Sequence, residues 1–205
     1  MDDMKNLLSK LILLLVALWL PLAAHAEENI LVFGDSLSAA YGIPREAGWV
    51  SLLQQELRRS HPQYTTINAS ISGETTSGGL RRIADALHQH KPRIVIIELG
   101  ANDGMRGVPI ANIENNLAEI INQSQKIRAK VLLLGIQLPP NYGIAYIADF
   151  KAMYPKLAQR HRVALVPFFL EGITPEQFQA DNLHPVAQAQ PVILLNVMQK
   201  LKPLL

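Results

Sequence analysis

The chain contains no cysteine among its 205 residues. That excludes disulfides, thiolate metal sites and a lipid-modified cysteine at a processing site. It has little charge of either sign in excess: 19 basic against 17 acidic residues leave a formal +2. So mild a balance gives no reason to expect nucleic acid or an anionic membrane as a partner. No Gly-x-Gly-x-x-Gly follows the first apolar run of the main domain and no Walker pattern occurs, so nucleotide binding has no support. Repeats, low-complexity tracts and long linkers are also missing. The apolar stretch at residues 11–20 is too short for a comfortable membrane span, which needs about 20 residues.

That stretch has another reading. Lys5 and Lys10 flank it on one side, Pro21 and "AAHAEE" on the other. A basic flank, a short apolar core and small residues at Ala24 and Ala26 are the marks of a secretory signal, residues 1–26, cut after Ala26. An uncleaved anchor is the alternative. Asp2 and Asp3 are unusual in such a flank, which makes Met4 a candidate start. Residues 27–205 are then expected as one domain, large enough to bury a core without staples and delivered to the periplasm.

In this domain, apolar runs alternate with longer amphipathic ones. Strands are predicted at 30–33, 65–69, 94–99, 131–136 and 163–166. "IVIIEL" and "VLLLGI" are apolar without alternation, as strands buried on both faces are. Helices are predicted at 49–59, with Val50, Leu53 and Leu57 at helical spacing, and at 79–90, with Leu80, Ile83, Ala84 and Leu87. Three more follow: 110–128 with Ile113, Leu117, Ile120 and Ile121, then 145–160 and 186–201. Strand–helix order repeated five times implies an α/β fold, a parallel sheet with helices on both sides. Ligands of such sheets sit outside the carboxyl ends of the strands.

The residues after each strand therefore carry the functional information. Gly34-Asp35-Ser36 follows the first, "NASISGETT" (68–76) the second, Gly100-Ala101-Asn102-Asp103-Gly104 the third and "QLPPNYG" (137–143) the fourth. Asp181-Asn182-Leu183-His184-Pro185 follows the fifth, ahead of the last helix. Each has a bland reading. Gly-Asp-Ser is an ordinary turn. "SGET" could simply cap a helix. Asn-Asp-Gly is a good turn. His184 could merely precede a helix with Pro185 at its first position. Their conjunction on one rim is harder to reach by chance.

The chemistry of acyl transfer asks for these types. A serine hydroxyl needs a base to take its proton, histidine is the usual one near neutrality, and an acid behind the imidazole orients it. Asp181 and His184 on one short loop can serve while the ring reaches Ser36. An oxyanion needs preset donors: the Gly73 N–H, the Asn102 side-chain amide and the Ser36 N–H, expected at a helix start.

These motifs resemble the SGNH (GDSL) hydrolase family, in particular its small bacterial thioesterase, lysophospholipase and arylesterase branch. Its four blocks match "GDSLS", Gly73 in "NASISGET", Asn102 in "LGANDG" and "DNLHP"; "LPPNYG" and "YPKLA" also look like that branch. The resemblance runs from about Ile30 to the C-terminus. It implies a flavodoxin-like three-layer α/β/α fold on a five-stranded parallel sheet. It further implies Ser36 as nucleophile, His184 as base with Asp181, and an oxyanion hole of Ser36, Gly73 and Asn102. No cofactor or metal is implied, and the expected partner is a small-molecule acyl ester or thioester met by a monomer without a stable membrane anchor. The chain departs from the branch at Ala101, where glycine is usual and a methyl group would narrow the pocket, and at Ala40, where glycine is common. Ser36 is not in a Gly-x-Ser-x-Gly elbow.

Other candidates carry less. His88 and His90 lie two apart on a predicted helix and are read as exposed, unable to chelate one ion together. Ile144, Tyr146, Ile147, Phe150, Phe168, Phe169 and Phe178 offer apolar lining near the rim, most of them expected in the core. Two rivals stay beside the acyl esterase: a carbohydrate O-deacetylase on the same scaffold and a non-catalytic ligand-binding protein.

Overall fold

The computed structural model describes residues 28–205; the expected signal segment, residues 1–26, and the expected cleavage after Ala26 lie outside the described residues. Strands β1 (Glu28–Gly34), β2 (Tyr64–Asn68), β3 (Ile94–Glu98), β4 (Lys130–Leu134) and β5 (Ala164–Val166) are the five expected, within two residues at each end. They form one sheet in the order β2-β1-β3-β4-β5, with every pairing parallel. The unalternated runs have the predicted cause: both faces are covered, and all of β3 is buried.

The helices are α1 (Trp49–Ser60), α2 (Thr76–His90), α3 (Ala101–Met105), α4 (Ile110–Lys126), α5 (Ile144–His161) and α6 (Gln190–Leu201). α2 packs on α4 and α4 on α5, forming one layer; α1 packs on α6 in the other. Each buries the stripe its spacing foretold, Val50, Leu53 and Leu57 in α1 and Ile113, Leu117, Ile120 and Ile121 in α4, as amphipathic helices against a sheet do. In α2 only Ile83 and Leu87 of the assigned stripe are buried; Leu80 is half-buried and Ala84 exposed.

Four local differences bear on the rim. First, α2 begins at Thr76, three residues before the predicted start at 79. Thr75 caps it by accepting from the Gly78 N–H at 3.1 Å, and the Asp103 carboxylate takes the Thr76 N–H at 2.8 Å and its hydroxyl at 2.7 Å. Second, Asn102-Asp103-Gly104 is not an open turn but part of the single-turn helix α3. Third, no helix starts at Ser36. Asp35 O accepts the Ala39 N–H at 3.0 Å, one helical turn, and Ala40 at φ 60° ends it. Fourth, α6 starts at Gln190 rather than 186. A short 3-10 turn at Ala187–Ala189 comes first, and the proline of the first helical turn is Pro191, not Pro185.

β1 has neighbours on both sides, β2 and β3, so the chain leaves it in one direction and returns on the other. That reversal opens a crevice at the carboxyl ends of β1 and β3, the usual ligand position in open α/β sheets.

Candidate active site

Ser36 emerges two residues past Gly34, the last residue of β1. The turn is built by Asp35, whose Oδ1 accepts the Leu37 N–H at 3.0 Å. Gly34 pairs in register with Glu98 at the end of β3. A side chain at Gly34 would come within 2.7 Å of Glu98 Oε2, so only glycine lets that carboxyl lie beneath the serine turn. There Glu98 Oε2 accepts the Ser38 hydroxyl at 2.7 Å and the Asp35 N–H at 3.2 Å.

His184 arrives from the other end of the chain. Its Nε2 is 2.8 Å from Ser36 Oγ and its Nδ1 is 2.7 Å from Asp181 Oδ2. Asp181 Oδ1 meanwhile accepts the Leu183 and His184 N–H groups at 2.9 and 3.0 Å. One carboxylate thus folds the loop and orients the ring. Partial burial pushes the Asp181 carboxyl up, but the Leu183 N–H and His184 outweigh it and bring it to about 2. The loop is pinned at its base by a bridge between Phe178 and Pro185. Gln179 ties it to the serine loop, donating to Tyr41 O at 2.9 Å, and the Tyr41 ring lies 4.5 Å from the His184 ring.

Asn102, at the start of α3, has its side-chain amide held by two acceptors. Its Nδ2 donates to Asp35 Oδ2 at 3.0 Å and to Glu74 O at 2.9 Å. Gly73, the residue before Glu74, sits in the loop after β2 at φ +78°, with open space where a Cβ would be. The five residues expected at the rim are therefore brought to one end of the sheet from loops after β1, β2, β3 and β5.

Behind them lies a feature sequence reasoning missed. Asp35 and Glu98 are both fully buried and their carboxyls face each other. Burial pushes Asp35 up to about 6 against the pull of the Leu37 N–H, Glu98, His184 and Asn102. Burial, then the Asp35 charge, raises Glu98 well above the ordinary range. Two carboxyls this close keep a proton between them. The available signal was the lone acid ending an otherwise apolar strand. Arg82, Gln179 and Tyr41 were missed as well, since nothing local distinguishes them.

A groove of about 440 Å³ opens beside Ser36 and His184. Met105, Ile136, Leu138, Phe168, Leu170, Ile173 and Phe178 give it apolar walls, and Ala101 is part of its lining. Of the seven apolar residues suggested, only Phe168 and Phe178 line it. Phe150 and Phe169 belong to the core, Ile144 is 90% exposed, and Tyr146 donates its hydroxyl to Val108 O at 2.6 Å. The walls come instead from the β4 and β5 loops, which helical spacing does not reveal. Among the described residues no cluster of three His, Asp or Glu side chains could hold a metal. His88 is exposed, but His90 is half-buried, its carbonyl accepting from Asn29 at 2.7 Å.

The chain is similar in sequence and fold to known proteins. Residues 32–190 match the GDSL-like Lipase/Acylhydrolase family. The chain is 50% identical over 182 residues to the esterase TesA of Pseudomonas aeruginosa, covering 88% of this chain and 90% of that one. It is 42% identical over 183 residues to thioesterase 1/protease 1/lysophospholipase L1 of Escherichia coli, covering 88% and 86%. The psychrotrophic esterase EstA from Pseudoalteromonas, crystallised with monoethylphosphonate as inhibitor, superposes with a TM-score of 0.82 at 41% identity, over 86% of this chain and 97% of that one. With the family matched across most of the described chain and its fold shared by a solved esterase, this chain belongs to the GDSL-like lipase/acylhydrolase family and is an ester-hydrolysing enzyme.

Proposed function

We propose that the protein hydrolyses carboxylic esters or thioesters of acyl chains through a Ser36–His184–Asp181 triad. The observation that carries this reading is the unbroken run of contacts from Asp181 through His184 to Ser36, 2.7 and 2.8 Å long, at the mouth of an apolar groove. Ser36 Oγ attacks the acyl carbon while His184 Nε2 takes its proton. The resulting oxyanion is met by the Ser36 and Gly73 N–H groups and by the Asn102 amide, one of whose hydrogens it shares with Asp35 or Glu74. Collapse breaks the C–O or C–S bond, and His184 returns the proton to the leaving alcohol or thiol. Water, deprotonated by His184, then frees the acid from Ser36.

The apolar walls support an acyl chain over an acetylated sugar, and the single-chain origin of all five residues supports a monomer as the working unit. The relatives named above, an esterase and a thioesterase/lysophospholipase, support the same substrate range. The Ser36→Ala variant should lose turnover by a factor on the order of 10⁶ and keep its fold. A phosphonate should label wild type at Ser36, which a mere binding protein would not permit, and nitrophenyl esters of increasing length should remain substrates, unlike those of a deacetylase. More than a few per cent residual activity in the variant would remove Ser36 from the nucleophile's role.

The signal-like N-terminus supports a periplasmic location, and no described helix is long and apolar enough to cross a membrane. N-terminal sequencing of the periplasmic protein should begin at or near Glu27; a full-length species held in membranes would refute the processing.

A further inference from the structure

We propose that Arg82 is a positioning residue that clamps the Gly73 loop, and with it Asn102, in the geometry an oxyanion requires. The inference rests on the hydrolase reading above.

Residues 69–75 join β2 to α2 without regular structure, and Ile71, Ser72 and Gly73 are exposed. The loop's beginning is tied to β1: the Ala69 N–H reaches Val32 O at 2.9 Å and the Ile71 N–H reaches Gly34 O at 3.0 Å. Nothing packs where a Gly73 side chain would stand, so the donor peptide has to be held from its flanks. Arg82 holds both. From α2 it reaches back, and its Nη1 donates to Ala69 O at 2.8 Å while its Nε donates to Glu74 Oε2 at 2.6 Å. The guanidinium stands 4.0 Å from the centroid of the buried Phe33 ring, which fixes its plane. Both partners are largely shielded, with side chains 24% and 12% exposed, so the pair is weakly screened by water.

Glu74 passes this fixation on. Its Oε1 accepts the Thr75 N–H at 3.1 Å, and its carbonyl accepts from Asn102 Nδ2 at 2.9 Å. The residue directly after Gly73 is thus held by Arg82 through its side chain and holds Asn102 through its backbone. Two of the three expected oxyanion donors lead back to one guanidinium that touches no substrate. A planar five-donor fork can span two acceptors in this way, whereas a lysine ammonium is a point charge.

The test separates positioning from plain stabilisation. A misplacement of about 1 Å near the reacting atoms can cost roughly 10²-fold. The Arg82→Ala variant should lose about 10- to 100-fold in kcat per folded molecule, with KM within about twofold, because the donors act on charge that develops only in the transition state. An alkyl trifluoromethyl ketone supplies the second readout. Ser36 Oγ bonds to its carbonyl carbon, His184 takes the hydroxyl proton, and the ketone oxygen becomes an oxyanion in the same hole. Its inhibition constant should rise by the factor by which kcat/KM falls, while an alcohol of equal chain length binds as before. The Arg82→Lys variant should lie between wild type and Arg82→Ala. Wild-type kcat in folded Arg82→Ala, or a loss of kcat with the ketone bound as tightly as before, would overturn the clamp. Should Arg82→Ala not fold, Arg82→Lys decides by the same two quantities: both weakened upholds the clamp, both at wild-type values overturns it. Failure of the hydrolase reading looks different, since wild type itself would then neither turn over ester nor capture the ketone.

Discussion

Asn102→Ala removes one side chain with an observed task as a tether and a proposed one as an oxyanion donor, and the two can be measured apart. As a tether, Asn102 Nδ2 satisfies Glu74 O and the fully buried Asp35 carboxyl. Leaving buried acceptors short of a donor costs about 1–3 kcal/mol. In a domain of this size each kcal/mol shifts Tm by roughly 2–4 °C, so a drop of about 2–12 °C is expected. As an oxyanion donor, its loss should cost turnover per folded molecule about 10²–10³-fold, roughly 2.7–4 kcal/mol of barrier. The second effect should fall on kcat rather than KM, since the ground-state carbonyl carries little charge. Asn102→Asp should do at least as much harm, because a second carboxyl would stand where the amide now lies 3.0 Å from Asp35 Oδ2 and would also face the oxyanion. The assay is nitrophenyl ester turnover, normalised to the folded fraction of the same preparation by near-ultraviolet dichroism. A lowered Tm with near-normal kcat would show that Asn102 only braces the turn, and would refute its part in the oxyanion hole.

Two further outcomes concern stability. Asp35 and Glu98 hold a proton in the folded protein that the unfolded chain has already released, since burial raises Asp35 to about 6 and Glu98 well above its ordinary value. The native state then binds more protons than the unfolded one, so this pair's contribution is fully present below about pH 4 and is lost as pH rises through about 6 and beyond. The Glu98→Gln variant should flatten the decline between about pH 4 and 8; Tm measured across pH for both proteins checks it, and equal slopes would contradict the shared proton. Ala40 sits at φ 60°, a left-handed conformation that costs a non-glycine residue about 1–2 kcal/mol, against roughly 0.5–1 kcal/mol of extra unfolded-state freedom for glycine. Ala40→Gly should therefore raise Tm by a few degrees, and a lower Tm would show that the Ala40 methyl contributes packing worth more than the strain.

Much of the candidate site was legible because each of its residues belongs to a short local pattern. Ser36, Gly73 and Asn102 stand shortly past apolar runs, and Asp181 and His184 in a short polar loop ahead of the last helix, all among residues that suit turns. Unalternated runs identified strands buried on both faces, and spacings such as Ile113-Leu117-Ile120-Ile121 identified the helices packed on them. Where local signals mislead, the cause is a partner elsewhere. Asn-Asp-Gly reads as a turn until Asp103 binds the start of α2, and the groove walls come from loop residues with no periodicity. Glu98 could be seen as odd but not assigned a neighbour, and Arg82 could not be distinguished from any other arginine on a solvated face.

The sequence by itself determined the alternation of strands and helices, the apolar faces and the residue types at each strand end, because these depend on neighbours within a turn or two of the chain. Only the tertiary structure decided which of those residues meet. Asp35 and Glu98 are 63 positions apart and Ser36 and His184 are 148. Their contacts follow from the strand order β2-β1-β3-β4-β5 and from the register that sets Gly34 opposite Glu98. Order and register come from burying all the apolar faces at once, a condition on the whole chain that no single segment carries.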